Sequence, residues 1–104
     1  MIDFLLKETA DENLIVLFNG DLDIDSTEVV EEELLPAIEN YKLVNINFEN
    51  VPFVDSSGMG LLLTIVQSLK AKGVKVTISQ VNEDVQFIFE MLQIPEILGE
   101  DTFI

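Results

Sequence analysis

Apolar and polar residues alternate along several stretches of the chain, and each alternation predicts a strand. Near residues 2–9, Ile2, Phe4 and Leu6 oppose Asp3, Leu5 and Lys7, which describes a strand with one wetter face. Leu14–Phe18 is an unbroken apolar run closed by Asn19-Gly20, the pattern of a central buried strand. The turn residues Ala10–Asn13 between these runs are few enough to make an antiparallel hairpin. From Leu43 to Phe48, Val44, Ile46 and Phe48 face one way while Asn45 and Asn47 face the other. Val74, Val76 and Ile78 alternate with Lys75, Thr77 and Ser79 in the same manner.

Between the strands the period changes to that of helices. Val30, Leu34, Ile38 and Tyr41 form one apolar stripe, with Glu31, Glu32 and Glu33 outside it. Asp25 is the expected N-cap of that helix, paired with Glu28, and Pro36 predicts a kink. A second helix follows Asp55–Ser57 and runs to about Lys72, with Leu61, Leu62, Ile65, Val66 and Leu69 for the core and Gly73 as its C-terminal stop. A third begins after Asn82, carries Val85, Phe89 and Leu92, and is closed by Pro95. Ile97–Leu98 and Thr102–Ile104 are available for a last edge strand. This order predicts an α/β fold of one domain, residues 1–104: a mixed, mostly parallel sheet of four to five strands. The N-terminal strand is antiparallel, and helices lie mainly on one face, because two strands keep a polar side. Loops at the C-terminal ends of the strands then share one rim, bringing Asp21–Asp25 and Asp55–Ser57 together.

Charge narrows the partners. Of the chain's ionisable residues, 20 are acids and 5 are lysines, for a net charge of −15, so nucleic acid and anionic membrane are repelled. There is no cysteine, which excludes disulfides and thiolate metal sites. No apolar run approaches the roughly 20 residues of a membrane span, and the N-terminus lacks a basic leader, so a cytoplasmic location is expected.

The chemistry concentrates in Val54-Asp55-Ser56-Ser57-Gly58-Met59-Gly60. Hydroxyls at a helix start meet free N–H groups and the positive end of the helix dipole, so such a serine can cap the helix, attack a substrate or carry a phosphate. Attack is excluded by the absence of histidine and by Val54 where a nucleophile elbow needs glycine. Asp21, Asp23 and Asp25, with Glu32, imitate a calcium loop, but Ser26 stands where that loop needs glycine. An aspartate-nucleophile phosphatase would need magnesium and a basic group, and the surroundings are acidic. No catalytic residue, cofactor or metal is expected. Between cap and phosphoacceptor, local physics alone favours the cap.

These residues resemble the anti-sigma factor antagonists, the stand-alone bacterial STAS domains. Phe53–Gly60 is similar to that family's signature turn, and Gly20-Asp21-Leu22-Asp23 to its loop after the second strand. The resemblance implies a non-enzymatic partner switch. The unphosphorylated protein binds an anti-sigma factor that is also a GHKL-type serine kinase, releasing a sigma factor. Phosphorylation at Ser56 ends the complex, and a serine phosphatase restores it. Asp21, Asp23, Asp55, Ser57, Gly58 and Met59 are implied to contact the partner or shape its docking surface, with Leu63 and Gln67 extending it along the helix. The alternative is a STAS-type structural subunit of a signalling or transport assembly, indifferent to phosphate.

Overall fold

The computed structural model describes residues 2–104. Strands β1 (Asp3–Ala10) and β2 (Asn13–Asn19) form the antiparallel hairpin, and β3 (Leu43–Asn50) and β4 (Lys75–Ser79) add to β2 in parallel, in the order β1-β2-β3-β4. The registers Leu14↔Val44↔Val76 and Val16↔Ile46↔Ile78 put the even-numbered residues of the inner strands on one face. All six are buried there under the helices. The other face carries Asn45, whose amide donates to Thr77 Oγ1 (2.9 Å) and whose Oδ1 accepts from Ser79 Oγ (3.1 Å). That polar ladder satisfies side chains that the alternation left without apolar neighbours. On β1 only Phe4 is half-buried. Leu6, expected on the apolar side, is exposed because an edge strand reaches beyond the helices.

The first helical segment departs from a regular helix. A 3₁₀ turn (Ile24–Ser26) leads to a π-helix (Val29–Leu34) and then to α1 (Leu35–Ile38). Leu35 N–H bonds back to the Val30 carbonyl, five residues away. Pro36 therefore sits at the second position of α1, directly after the π-winding, where the changed hydrogen-bond pattern accommodates the bond that proline cannot donate. Val30, Leu34 and Ile38 remain fully buried. Tyr41 lies beyond the helix end, and its hydroxyl donates to Glu8 of β1. That bond to Glu8, with lesser contributions from desolvation and the carboxylate's charge, raises the Tyr41 pKa above its usual value near 10. Its contribution to stability is fully present below the unfolded-state pKa and is lost as pH rises through the folded one. A spectrophotometric titration should show a delayed phenolate transition, which Glu8→Gln returns toward the usual value.

Helix α2 (Ser56–Ala71) ends as expected. Gly73 (φ +80°) and Val74 donate to the Lys70 and Leu69 carbonyls, each at 3.0 Å. Helix α3 (Glu83–Met91) is capped by Asn82, whose Oδ1 accepts the Val85 N–H at 2.8 Å, and buries Val85 and Phe89. Two expectations fail after it. Leu92 is the C-cap and is exposed, and Pro95 opens a short helix, α4 (Ile94–Leu98), in whose first turn it fits. Ile97–Leu98 is thus helical. Of the last residues, Phe103 makes a single parallel bridge to Ile78 and Ile104 N–H donates to the Ile78 carbonyl, so β4 is covered without a fifth strand. Phe18, Phe48, Phe89 and Phe103 stack edge to face at 5.5–6.0 Å, forming an aromatic floor beneath the ends of β2 and β3.

Candidate functional site on the rim of the sheet

Two loops leave the rim above that floor and are stitched together through their backbones. Gly20 N–H donates to the Asn50 carbonyl (3.0 Å), Leu22 N–H to the Phe53 carbonyl (3.0 Å), and Asp55 N–H to the Leu22 carbonyl (3.3 Å). Leu22 and Val54, both fully buried, form a parallel bridge. The sheet pairing therefore continues past β2 and β3 into the loops. The two motifs are held as one backbone unit, with Leu22 and Val54 turned into the core.

The helix start completes this unit. Asp55, extended at φ −91° and ψ −176°, caps α2 by accepting the Gly58 N–H at 2.8 Å. Gly58 is there for space: a Cβ at that position would lie 1.9 Å from the Leu22 carbonyl oxygen. The first turn of α2 thus rests directly on the neighbouring loop's backbone. Ser56 is the first residue of the helix and is exposed, and Ser57 is half-buried. Their N–H groups, first in the helix, have no intrahelical acceptors. In the other loop the N-cap is Asp23, not Asp25. Asp23 Oδ1 accepts the Asp25 N–H (3.0 Å), and Ser26 Oγ accepts the Asp23 N–H (3.2 Å), a reciprocal pair that replaces the expected Asp25–Glu28 pair. The 3₁₀ turn starts the helical segment early, which moves its cap upstream.

The expected partner-facing residues thus separate by accessibility. Asp21 and Ser56 are exposed, Asp23, Asp55 and Ser57 are half-buried, and Gly58 is buried. Met59 is 3% exposed and belongs to the core, so it presents no surface to a partner. The helical wheel gives the reason. At 100° per residue, Met59 falls beside the buried Leu62 and Val66, whereas Ser56, Gly60, Leu63 and Gln67 share one narrow stripe. Of that stripe Gly60 and Gln67 are exposed and Leu63 is half-buried. Ile24 (67% exposed) and Phe53 (49%) also stand on the rim, and neither is among the expected partner-facing residues. The available signal was a large apolar residue inside each motif-bearing loop, with no strand or helix face to bury it. Beside Ile24 an open depression of about 630 Å³ is lined by Asp25, Thr27, Glu28, Glu31 and Glu32. Among the described residues, no three acids converge to hold a metal ion, and no helix is long and apolar enough to cross a membrane.

A parallel bridge extending two strands into paired loops, with a serine opening the next helix, is a specific arrangement. The STAS domain family matches residues 5–103. The chain belongs to the STAS domain family. Among relatives, this STAS domain is 30% identical over 80 residues to the anti-sigma F factor antagonist of Paenibacillus polymyxa, covering 75% of this chain and 68% of that one. Among solved structures it is similar to a sulfate transporter family protein from Wolinella succinogenes, with a TM-score of 0.80 and 22% identity, covering 93% and 80% of the two chains. It is also similar to the Bacillus cell fate determinant SpoIIAA in its phosphorylated form, with a TM-score of 0.70 and 21% identity, covering 98% and 89%. These two likenesses establish the shared STAS fold. The relationship to anti-sigma factor antagonists rests on the sequence match.

Proposed function

We propose that residues 1–104 act as one STAS domain with no enzymatic activity, an anti-sigma factor antagonist whose docking rim is switched by phosphorylation of Ser56. The observation that carries this is the placement of an exposed serine at the first position of α2, on the same stitched backbone unit as the Gly20–Asp23 loop. In this proposal the unphosphorylated rim binds an anti-sigma factor with GHKL-type serine kinase activity and releases a sigma factor. Asp21, Asp23, Asp55 and Ser57 supply polar contacts or hold the loop shapes, and Gly58 fixes the distance between the loops. Ile24 and Phe53 are the apolar anchors, a role suited to large side chains at an interface centre. The acids beside Ile24 favour a basic face on the partner.

Phosphate at Ser56 would add a charge of about −1.5 to −2. The start of α2 would stabilise it by roughly 0.3–1 kcal/mol through the dipole. Asp55 and the acidic rim would oppose it. The fold would therefore tolerate the modification while the docking surface gains negative charge and bulk, and a serine phosphatase would reset it. A relative solved in its phosphorylated form supports a phosphate-bearing state of this fold. The test is incubation with the cognate kinase and ATP, followed by phosphosite mapping by mass spectrometry. Phosphate on Ser56, absent from Ser56→Ala, is expected. Full modification elsewhere with Ser56 untouched would overturn the proposal.

The similarity to a sulfate transporter family protein supports a second reading, a STAS subunit of a transport or signalling assembly. In that case association with the assembly would be indifferent to Ser56→Asp.

A further inference from the structure

We propose that the outward face of α3 is a second docking surface, shaped for a basic amphipathic helix of another protein. Phe87 and Met91 are 61% and 65% exposed, and they lie one helical turn apart. On the wheel they fall opposite Val85 and Phe89, which bury the inner face, and half-buried Ile88 borders them. Folding gains nothing from placing a phenylalanine and a methionine outward, where polar residues would cost no burial. Paired large apolar side chains at i and i+4 are the pattern that meets an i, i+3, i+4, i+7 helix.

Charge selects the occupant. No lysine follows Lys75 in the sequence, whereas Glu83, Asp84, Glu90, Glu96 and Asp101 all do. Glu83 and Asp84 stand one turn before Phe87, and Glu90 precedes Met91. Lys70 of α2 is the base that reaches this end of the molecule, and its ammonium is held by the Leu98 carbonyl and the Thr102 hydroxyl. A second copy would bring the same acids against these, with a net charge of −15 on each chain. Phe87 can bury at most about 150–250 Å², and together with Met91 it stays short of the roughly 800 Å² per partner of a stable interface between folded proteins. An anionic membrane is repelled for the same reason as a second copy. A single cationic helix fits both the area and the sign. This face is carried by α3 and not by the Ser56 rim, so it would stay available in either phosphorylation state.

The test is amide chemical-shift mapping on the isotope-labelled full chain, titrated with a synthetic helix of leucines at i, i+3, i+4 and i+7 and lysines elsewhere. Shifts should centre on Phe87 and Met91, and the glutamate counterpart of the peptide should not bind. Phe87→Ser combined with Met91→Ser should weaken binding at least about tenfold with an unchanged melting temperature. Raising NaCl from about 50 to about 500 mM should weaken it as well. Equal affinity in the double variant would reduce the effect to general attraction by an acidic protein and overturn the proposal. So would shifts centred on Ile24 and Phe53. Self-association of the protein alone, lost in the double variant, would assign the face to a second copy, and binding to phosphatidylglycerol vesicles would assign it to a membrane.

Discussion

Gly58→Ala is expected to destabilise the domain by about 3 kcal/mol, combining overpacking against a backbone with loss of rim hydrogen bonds. The added methyl group would lie 1.9 Å from the Leu22 oxygen and 2.6 Å from its carbonyl carbon. Backbone cannot swing aside as a long side chain can. Either the first turn of α2 lifts or the Gly20–Asp23 loop retreats, and each breaks the Asp55–Leu22 bond and strains the Leu22–Val54 bridge. A fall in melting temperature of about 12–20 °C should follow for a chain of this size. Gly60 provides the control within the same motif. It is exposed, a Cβ there meets nothing within 4 Å, and Gly60→Ala should stabilise the helix by roughly 0.5–1 kcal/mol. Thermal melts of the two variants should therefore move in opposite directions. An unchanged melting temperature for Gly58→Ala would mean that the two loops are not in backbone contact.

Under the proposed function, Ser56→Asp should weaken binding to the anti-sigma factor by about 100-fold or more, since a carboxylate added beside Asp55 with no cation of its own in the interface costs about 2–5 kcal/mol. The position is exposed and sits at the helix start, where a carboxylate suits the dipole, so the isolated domain should keep its stability. Ser56→Ala should bind within about threefold of the parent, since the hydroxyl contributes at most one modest hydrogen bond. Calorimetry or surface binding of each unphosphorylated variant to the kinase, without ATP, checks the ranking. Equal affinities for Ala and Asp would leave the serine as architecture and favour the assembly-subunit reading. Because the melting temperature is measured on the same samples, a loss of binding can be separated from a loss of fold.

Much of the fold was legible because its signals are local. The polar alternation of Asn45 and Asn47 announced a sheet covered on one side, and the Asn45–Thr77–Ser79 ladder is the result. Asn82 was readable as a cap because capping needs only a side-chain oxygen next to a helical run. At α2 the same rule favoured the serines, and the structure gives the cap to Asp55 instead, because the helix starts at Ser56 and the residue before it supplies the oxygen. Proline was harder. Pro36 and Pro95 both exclude a helix interior, but the sequence does not say whether the chain kinks, stops, rewinds or restarts. Here a π-turn precedes the first, and a new helix begins at the second. Leu92 matched the helical period, yet the helix had already ended, and a period does not mark where winding stops.

The sequence by itself determined the order of the four strands and the three main helical segments, the apolar faces of β3 and β4, and the two motifs, whose resemblance pointed to Ser56. Each of these depends on neighbours a few residues apart. Only the tertiary structure decided that Leu22 pairs with Val54, that Gly58 is a spacer between loops, and that Met59 turns inward while Gly60 and Gln67 turn outward. The reason is geometric. A helix start can point its side chains in any direction until the loop beside it fixes the helix's rotation. In this protein that rotation is set by a backbone contact between residues more than thirty positions apart.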